Sequence, residues 1–239
     1  MAVSDSAVRK APPRYSHPRL AELLFALDAP LRRRYSVVEY TDNPLCIFRL
    51  QIVRSRRNLV LRDATHLRPA QRMVKLHYWN EQIPPTPETG TTIGWARQMA
   101  HRIEISLCEL ARYLASEPDL RDVSAVCADP AAGAGRQSGQ IARIMARYGF
   151  EAIAESEPPP IGERIHRFGE NILIALMVFA QNANALRAGS LTRKRVPLFL
   201  SRRALEQRFG GSQAGSDQKR CIAVDILSKR KRGNSLLSR

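Results

Sequence analysis

His77, Trp79, Asn80 and Glu81 crowd an imidazole, an indole, a carboxamide and a carboxylate into five consecutive positions. His77 and Glu81 are the candidate proton-transfer groups, because an imidazole titrates near neutrality and a carboxylate can accept a proton from a hydroxyl or amine. Trp79 and Asn80 are the candidate ligand-binding groups, one by stacking its ring on a ligand and the other by hydrogen bonding through its amide. The surrounding stretch, Val74 to Pro84, has period two. Val74, Leu76 and Tyr78 point one way and can enter a core, while Lys75, His77, Trp79 and Glu81 point the other. Pro84 and Pro85 stop the ladder, since neither donates a backbone hydrogen bond. The four chemical groups therefore sit at a strand end, where sites often form. The alternative is a packed, hydrogen-bonded His–Trp pair under a covering helix.

The elements that must position this stretch are short strands before it and helices after it. Leu20, Leu23, Leu24, Leu27 and Leu31 recur at helical spacing between Pro18 and Pro30, and Arg32 to Arg34 suit the negative end of that helix. Strands are expected at Ser36 to Tyr40, Ile47 to Val53 and Leu59 to Leu61, separated by turn signals at Asn43-Pro44 and Asp63-Ala64. In the second of these, Phe48, Leu50 and Ile52 alternate with Arg49 and Gln51. After the Pro/Thr-rich loop at 84–90, Thr91 or Thr92 can cap a long helix whose stripe is Ile93, Ala96, Ala100, Ile103, Leu107, Leu110 and Leu114. Pro118 ends it, and Val123 to Ala128 forms a small strand. The glycine-rich run Ala131 to Gly139 opens a further helix that stops at Tyr148-Gly149, and Phe150 to Ala154 forms a last strand.

Beyond Pro160 a long helix carries Ile165, Phe168, Ile172, Leu176 and Phe179 on one face. Arg167, Glu170 and Asn171 flank it, and Arg167 and Asn171 are further candidate ligand-binding residues. Leu198 to Arg208 reads as a short final helix or turn with Ser201 as its cap. The resulting expectation is an α+β fold, an antiparallel β-meander packed by amphipathic helices. It forms a single domain over residues 18–210, with disordered tails at 1–17 and 211–239.

Composition removes several function classes. With 44% hydrophobic and 25% charged residues in 239, the chain is an ordinary globular protein. Its longest apolar run, Ile172 to Ala180, is about half of the roughly 18–20 residues that a spanning helix requires. Residues 1–18 hold no apolar block and so make no secretory signal. Cys46, Cys108, Cys127 and Cys221 lie far apart, which implies free thiols in a reducing cytoplasm. The histidines at 17, 66, 77, 101 and 166 have no paired spacing, so no metal is expected, and no cofactor motif is complete. The formal net charge of +16 attracts phosphate-bearing partners. The clusters at 193–195 and 229–232 bring no nucleic-acid fold signature with them, which leaves nucleic acid as a partner for the basic tail only.

Asn58 to Pro69 and Leu76 to Pro84, with Arg167 to Asn171 and Leu198 to Phe209 further on, resemble the YkoP-like domain family over roughly residues 18–210. The His-x-Trp-Asn-Glu string is the most specific part. Lys75 stands where the family pattern has an acid two residues before the histidine, and Ala70-Gln71 replaces a Gly-Asp. The resemblance implies a bacterial cell-envelope setting, alone or beside polysaccharide deacetylases and other glycan-modifying enzymes, and it carries no activity of its own.

Three functions remain open at this level. One is an accessory domain binding a glycan or an anionic lipid head group through Trp79, Asn80 and Glu81. A second is an acyltransferase similar to the GNAT type. Its coenzyme phosphates would lie on a helix N-terminus near Thr89 to Thr92 or Gly133 to Gly139, and His77 or Glu81 would act as base. The third is a basic nucleic-acid-binding protein.

Overall fold

The alternating segments pair into one sheet. The computed structural model describes residues 32–84, 87, 92–129, 142–153 and 197–211, and the single positions 17, 19, 22, 26, 30, 161, 172, 176 and 179. In chain order the elements are β1 (Val37–Val38), β2 (Phe48–Arg54), β3 (Leu59–Val60), β4 (His66–Leu67), β5 (Arg72–Tyr78), α1 (Ile93–Ser116), β6 (Ala125–Ala128), β7 (Glu151–Ala152), β8 (Leu198–Ser201) and α2 (Arg202–Phe209). The fold is α+β, as the sequence implies. Its six-stranded sheet has the order β1-β2-β5-β6-β8-β7.

The first three strands of that order make the expected antiparallel meander. β5 and β6 are parallel, the only such pair among the described strands, and α1 makes the crossover between them. The sequence expects Leu59 to Leu61 to extend the meander. Instead β3 pairs with β4 in a separate ribbon, folded back at Asp63-Ala64 with Ala64 at φ 62°. Leu61 and Leu67 then cover Met73, Ala125, Cys127 and Phe199 on one face of the large sheet.

The other face holds the main core. Phe48, Leu50, Val74, Leu76, Val126, Leu198 and Leu200 meet Ile103, Leu107, Leu110 and Leu114 of α1. Thr92 caps α1 by accepting from the Trp95 N–H at 3.2 Å. The apolar stripe is misread at one end only, with Ile93 75% exposed. A helix of 24 residues is about 36 Å long, whereas a seven-residue strand spans about 23 Å. The first turn therefore overhangs the sheet. Deeper in, Ser106 fastens α1 to β2, accepting from the Ile47 N–H at 2.9 Å and donating to the Arg102 carbonyl at 2.7 Å.

Leu198 to Ser201 is a strand and not the start of the final helix. A central strand buried on both faces is a continuous apolar run, which periodicity alone cannot distinguish from helix. Ser201 still caps α2, accepting from the Ala204 N–H at 2.9 Å, and its hydroxyl also donates to the Asp63 carboxylate. Arg202 donates to the carbonyls of Leu114 and Leu120, closing the C-terminal end of α1. The helix ending at Tyr148-Gly149 stops as expected, with Gly149 at φ 93°.

Burial opposes ionisation of Asp63, but hydrogen bonds from Ser201 and Thr65 outweigh it and hold the carboxyl below its ordinary 3.8. A depressed carboxyl contributes stability that is present above its unfolded value and lost as pH falls through the folded one. Asp63→Asn is expected to cost about 0.5–1.5 kcal/mol at neutral pH and to flatten the loss of stability below about pH 4. Thermal midpoints recorded from pH 7 down to pH 3 check this. Ser201→Ala removes both the cap and the Asp63 bond, and is expected to cost about 1–3 kcal/mol by urea denaturation.

Contacts divide the chain into two compact units, Met1–Leu31 with Pro159–Arg193 and Arg32–Pro158 with Lys194–Arg239. The sheet belongs to the second. In the first, His17, which the sequence assigns to a tail, stacks on Phe179 with ring centroids 4.6 Å apart. Residues 1–16 and 212–239 of the expected tails at 1–17 and 211–239, the glycine-rich run 131–139, the loop positions Thr89 to Thr91, Arg167, Glu170, Asn171 and Cys221 all lie outside the described residues.

Candidate functional site

The register of β2 on β5 decides which polar side chains meet. Arg49 faces His77 and Gln51 faces Lys75. Directly opposed residues share a face, so all four stand on the side of the sheet turned away from α1. The side chains of Val74 (0% exposed) and Leu76 (6%) enter the core, as the alternation requires. Tyr78 is 44% exposed, and its ring lies against Phe48 at the sheet margin.

The ladder runs one residue past β5, because the Trp79 N–H donates to the Ile47 carbonyl at 2.8 Å. The chain then turns through a 3-10 segment, Asn80–Gln82, closed by the Gln82 N–H on the Trp79 carbonyl at 2.9 Å. This turn brings Trp79 and Glu81 onto Arg49. The Arg49 guanidinium lies 4.9 Å from the Trp79 ring centroid, a cation–π contact. Its Nη2 is 3.1 Å from Glu39 Oε1 and 3.3 Å from Glu81 Oε2. Arg49 is only 4% exposed, while the two carboxylates are 39% and 38% exposed. Arg32 also reaches Glu39, at 2.7 Å.

His77 hydrogen-bonds Gln51 through Nε2, 3.0 Å from Oε1. Lys75 pairs with Asp129 at 3.1 Å, both about a fifth exposed. Asp129 follows β6, whose parallel register sets Lys75 beside Cys127. A carboxylate thus reaches this part of the sheet from beyond a different strand. Burial, with Asp129 adding to it against the pull of Lys75, pushes the Cys127 thiol up to about 12 and so disfavours its thiolate.

The structure therefore gathers Trp79, Glu81 and His77 on one sheet face. Asn80 opens the turn. Arg49, Glu39, Gln51 and Asp129 are the members that residue type alone did not reveal. Arg49 and Gln51 were visible as the off-core half of β2, but only strand register shows that they meet β5. Among the described residues no group of three metal-ligating side chains is close enough to hold an ion.

What this arrangement can do is hold a rigid acceptor platform. Two half-exposed carboxylates, fixed by a buried guanidinium, keep lone pairs for hydroxyl or amine donors, and an indole beside them offers a flat apolar surface. A family model described as the YkoP domain matches residues 24–209. The chain belongs to the YkoP domain family. No curated protein and no solved structure matches it. The match includes every strand among the described residues and both helices α1 and α2. No helix among its described residues is long and apolar enough to cross a membrane.

Proposed function

We propose that this YkoP domain is a saccharide-binding accessory domain whose ligand lies on the Trp79–Glu81 turn. The observation that carries the reading is the buried Arg49, clamped between Glu39 and Glu81 and stacked on Trp79. Sugars present hydroxyl donors around the ring edge and an apolar C–H face. Rigid carboxylates and an indole complement those two surfaces, and His77 and Gln51 add polar groups on the same face. We place the domain in the cytoplasm, serving enzymes that modify envelope polysaccharide. The free thiols of Cys46 and Cys127 support a reducing compartment.

An oligosaccharide array probed with wild type and Trp79→Ala tests the reading. Binding by wild type, weakened at least about ten-fold in the variant, is the expected outcome. Identical profiles for the two proteins would remove it.

A GNAT-type acyltransferase is the second reading, favoured by the strand order. One parallel pair, β5 and β6, is bridged by α1 within an otherwise antiparallel sheet, and β8 is inserted between β6 and β7. Under it His77 or Glu81 would be the base. Acetyl-CoA should then raise the thermal midpoint, and no shift at millimolar concentration counts against it.

A further inference from the structure

The stretch of α1 before Glu104 holds no acid: from Ile93 to Ile103 it carries Arg97, His101 and Arg102 and no carboxylate. The helix dipole acts within its first turn, so at Arg102, well past it, the cost comes from burial. Arg97 lies at the surface, but Arg102 is 5% exposed. Its Nη1 donates to the Gln82 carbonyl at 2.5 Å and lies 3.5 Å from the Pro44 carbonyl. Nε is buried and has no hydrogen-bond partner. No acid among the described residues forms an ion pair with it. Arg49, the buried arginine of β2, has two carboxylates; Arg102, on α1, has none among the described residues.

A buried guanidinium stays charged, and burial without a counter-charge is among the costliest arrangements a fold can hold. Carbonyl oxygens meet only one edge of the fork. The remaining edge, Nε with Nη2, has the geometry that takes two oxygens of one oxyanion side by side. The adjoining segments are the Asn80–Gln82 turn and the chain at Pro44. Just past that turn the Pro84 carbonyl accepts from the Trp95 indole at 3.1 Å.

We infer that Arg102 is the centre of an anion-binding site for the phosphate group of a soluble ligand, on the α1 side of the Asn80–Gln82 turn. The turn connects this site to the saccharide platform, since Glu81 reaches Arg49 and the next residue's carbonyl holds Arg102. A membrane head group is a poor match, because a guanidinium only 5% exposed does not stand out toward a flat layer of phosphates. The site stands independently of the saccharide reading: one requires Arg102 and the other Trp79.

The test is a titration of the full chain with sodium pyrophosphate against sodium chloride at matched ionic strength, followed by thermal midpoint and tryptophan fluorescence. Arg102→Lys keeps the charge and loses the fork, and Arg102→Met removes both. Wild type should show a saturable rise specific to pyrophosphate, with the half-saturating concentration raised at least about ten-fold in Arg102→Lys. Two results overturn the proposal. One is a wild-type response no larger than that to chloride. The other is an Arg102→Lys protein that is less stable yet titrates like wild type. In that case Arg102 merely ties the Pro44 and Gln82 segments together, and pyrophosphate sits on other basic groups. Should Arg102→Met fail to fold, the wild-type and lysine arms still decide.

Discussion

Arg49→Met is expected to lower stability by about 2–4 kcal/mol, measured by urea denaturation at neutral pH. The loss does not come from the missing contacts alone. Without the guanidinium, Glu81 loses its cation, Glu39 keeps only Arg32, and Trp79 loses the group stacked on it. The carboxylates are partly exposed and rehydrate, which holds the cost below that of a fully buried pair. Two companions separate repulsion from packing. Arg49→Met combined with Glu39→Gln and Glu81→Gln should recover a good part of the loss, because neighbours within one charged network are not additive. If the triple variant is no more stable than the single one, the carboxylates are indifferent to Arg49 and the platform is not electrostatically built.

Leu107→Ala is expected to cost about 2–5 kcal/mol. Leu107 is 0% exposed within the cluster where α1 packs on the sheet. Removing three carbons there forfeits their transfer energy and leaves a cavity that α1, fastened at Ser106 and closed by Arg202, cannot collapse to fill. Since α1 covers the face opposite Arg49 and His77, the folded fraction of the variant should bind ligand with unchanged affinity. Denaturation midpoint and calorimetric affinity, measured on the same preparation, check the two halves of this expectation. A stable variant with weakened binding would mean that the two faces are mechanically coupled.

Much of this architecture was legible in the residues because period and burial agreed. The alternation of Val74, Leu76 and Lys75, His77 along β5 matches its two faces, and Ile103, Leu107, Leu110 and Leu114 form the buried stripe of α1. Thr92, Ser201 and Gly149 act where their chemistry requires, as caps and as a helix stop. What resisted was pairing between distant segments. Nothing local in Leu198 to Ser201 says that it inserts between β6 and β7, and nothing near Leu59 says that it leaves the sheet for β4. The site was half-visible for the same reason. His77, Trp79 and Glu81 are neighbours in sequence, but Arg49 joins them through strand register and Glu39 through the β1 edge. Asp129 arrives only because β6 runs parallel to β5. Arg102 was invisible as a feature, since a helical arginine reads as solvated until its burial is known.

Calorimetry of wild type and Trp79→Ala, using the oligosaccharide that binds most strongly on the array, tests the role of the turn most directly. The account predicts measurable heat for wild type and an affinity at least about ten-fold lower for the variant, with both proteins equally folded by near-ultraviolet circular dichroism. Equal affinities in two equally folded proteins would contradict it.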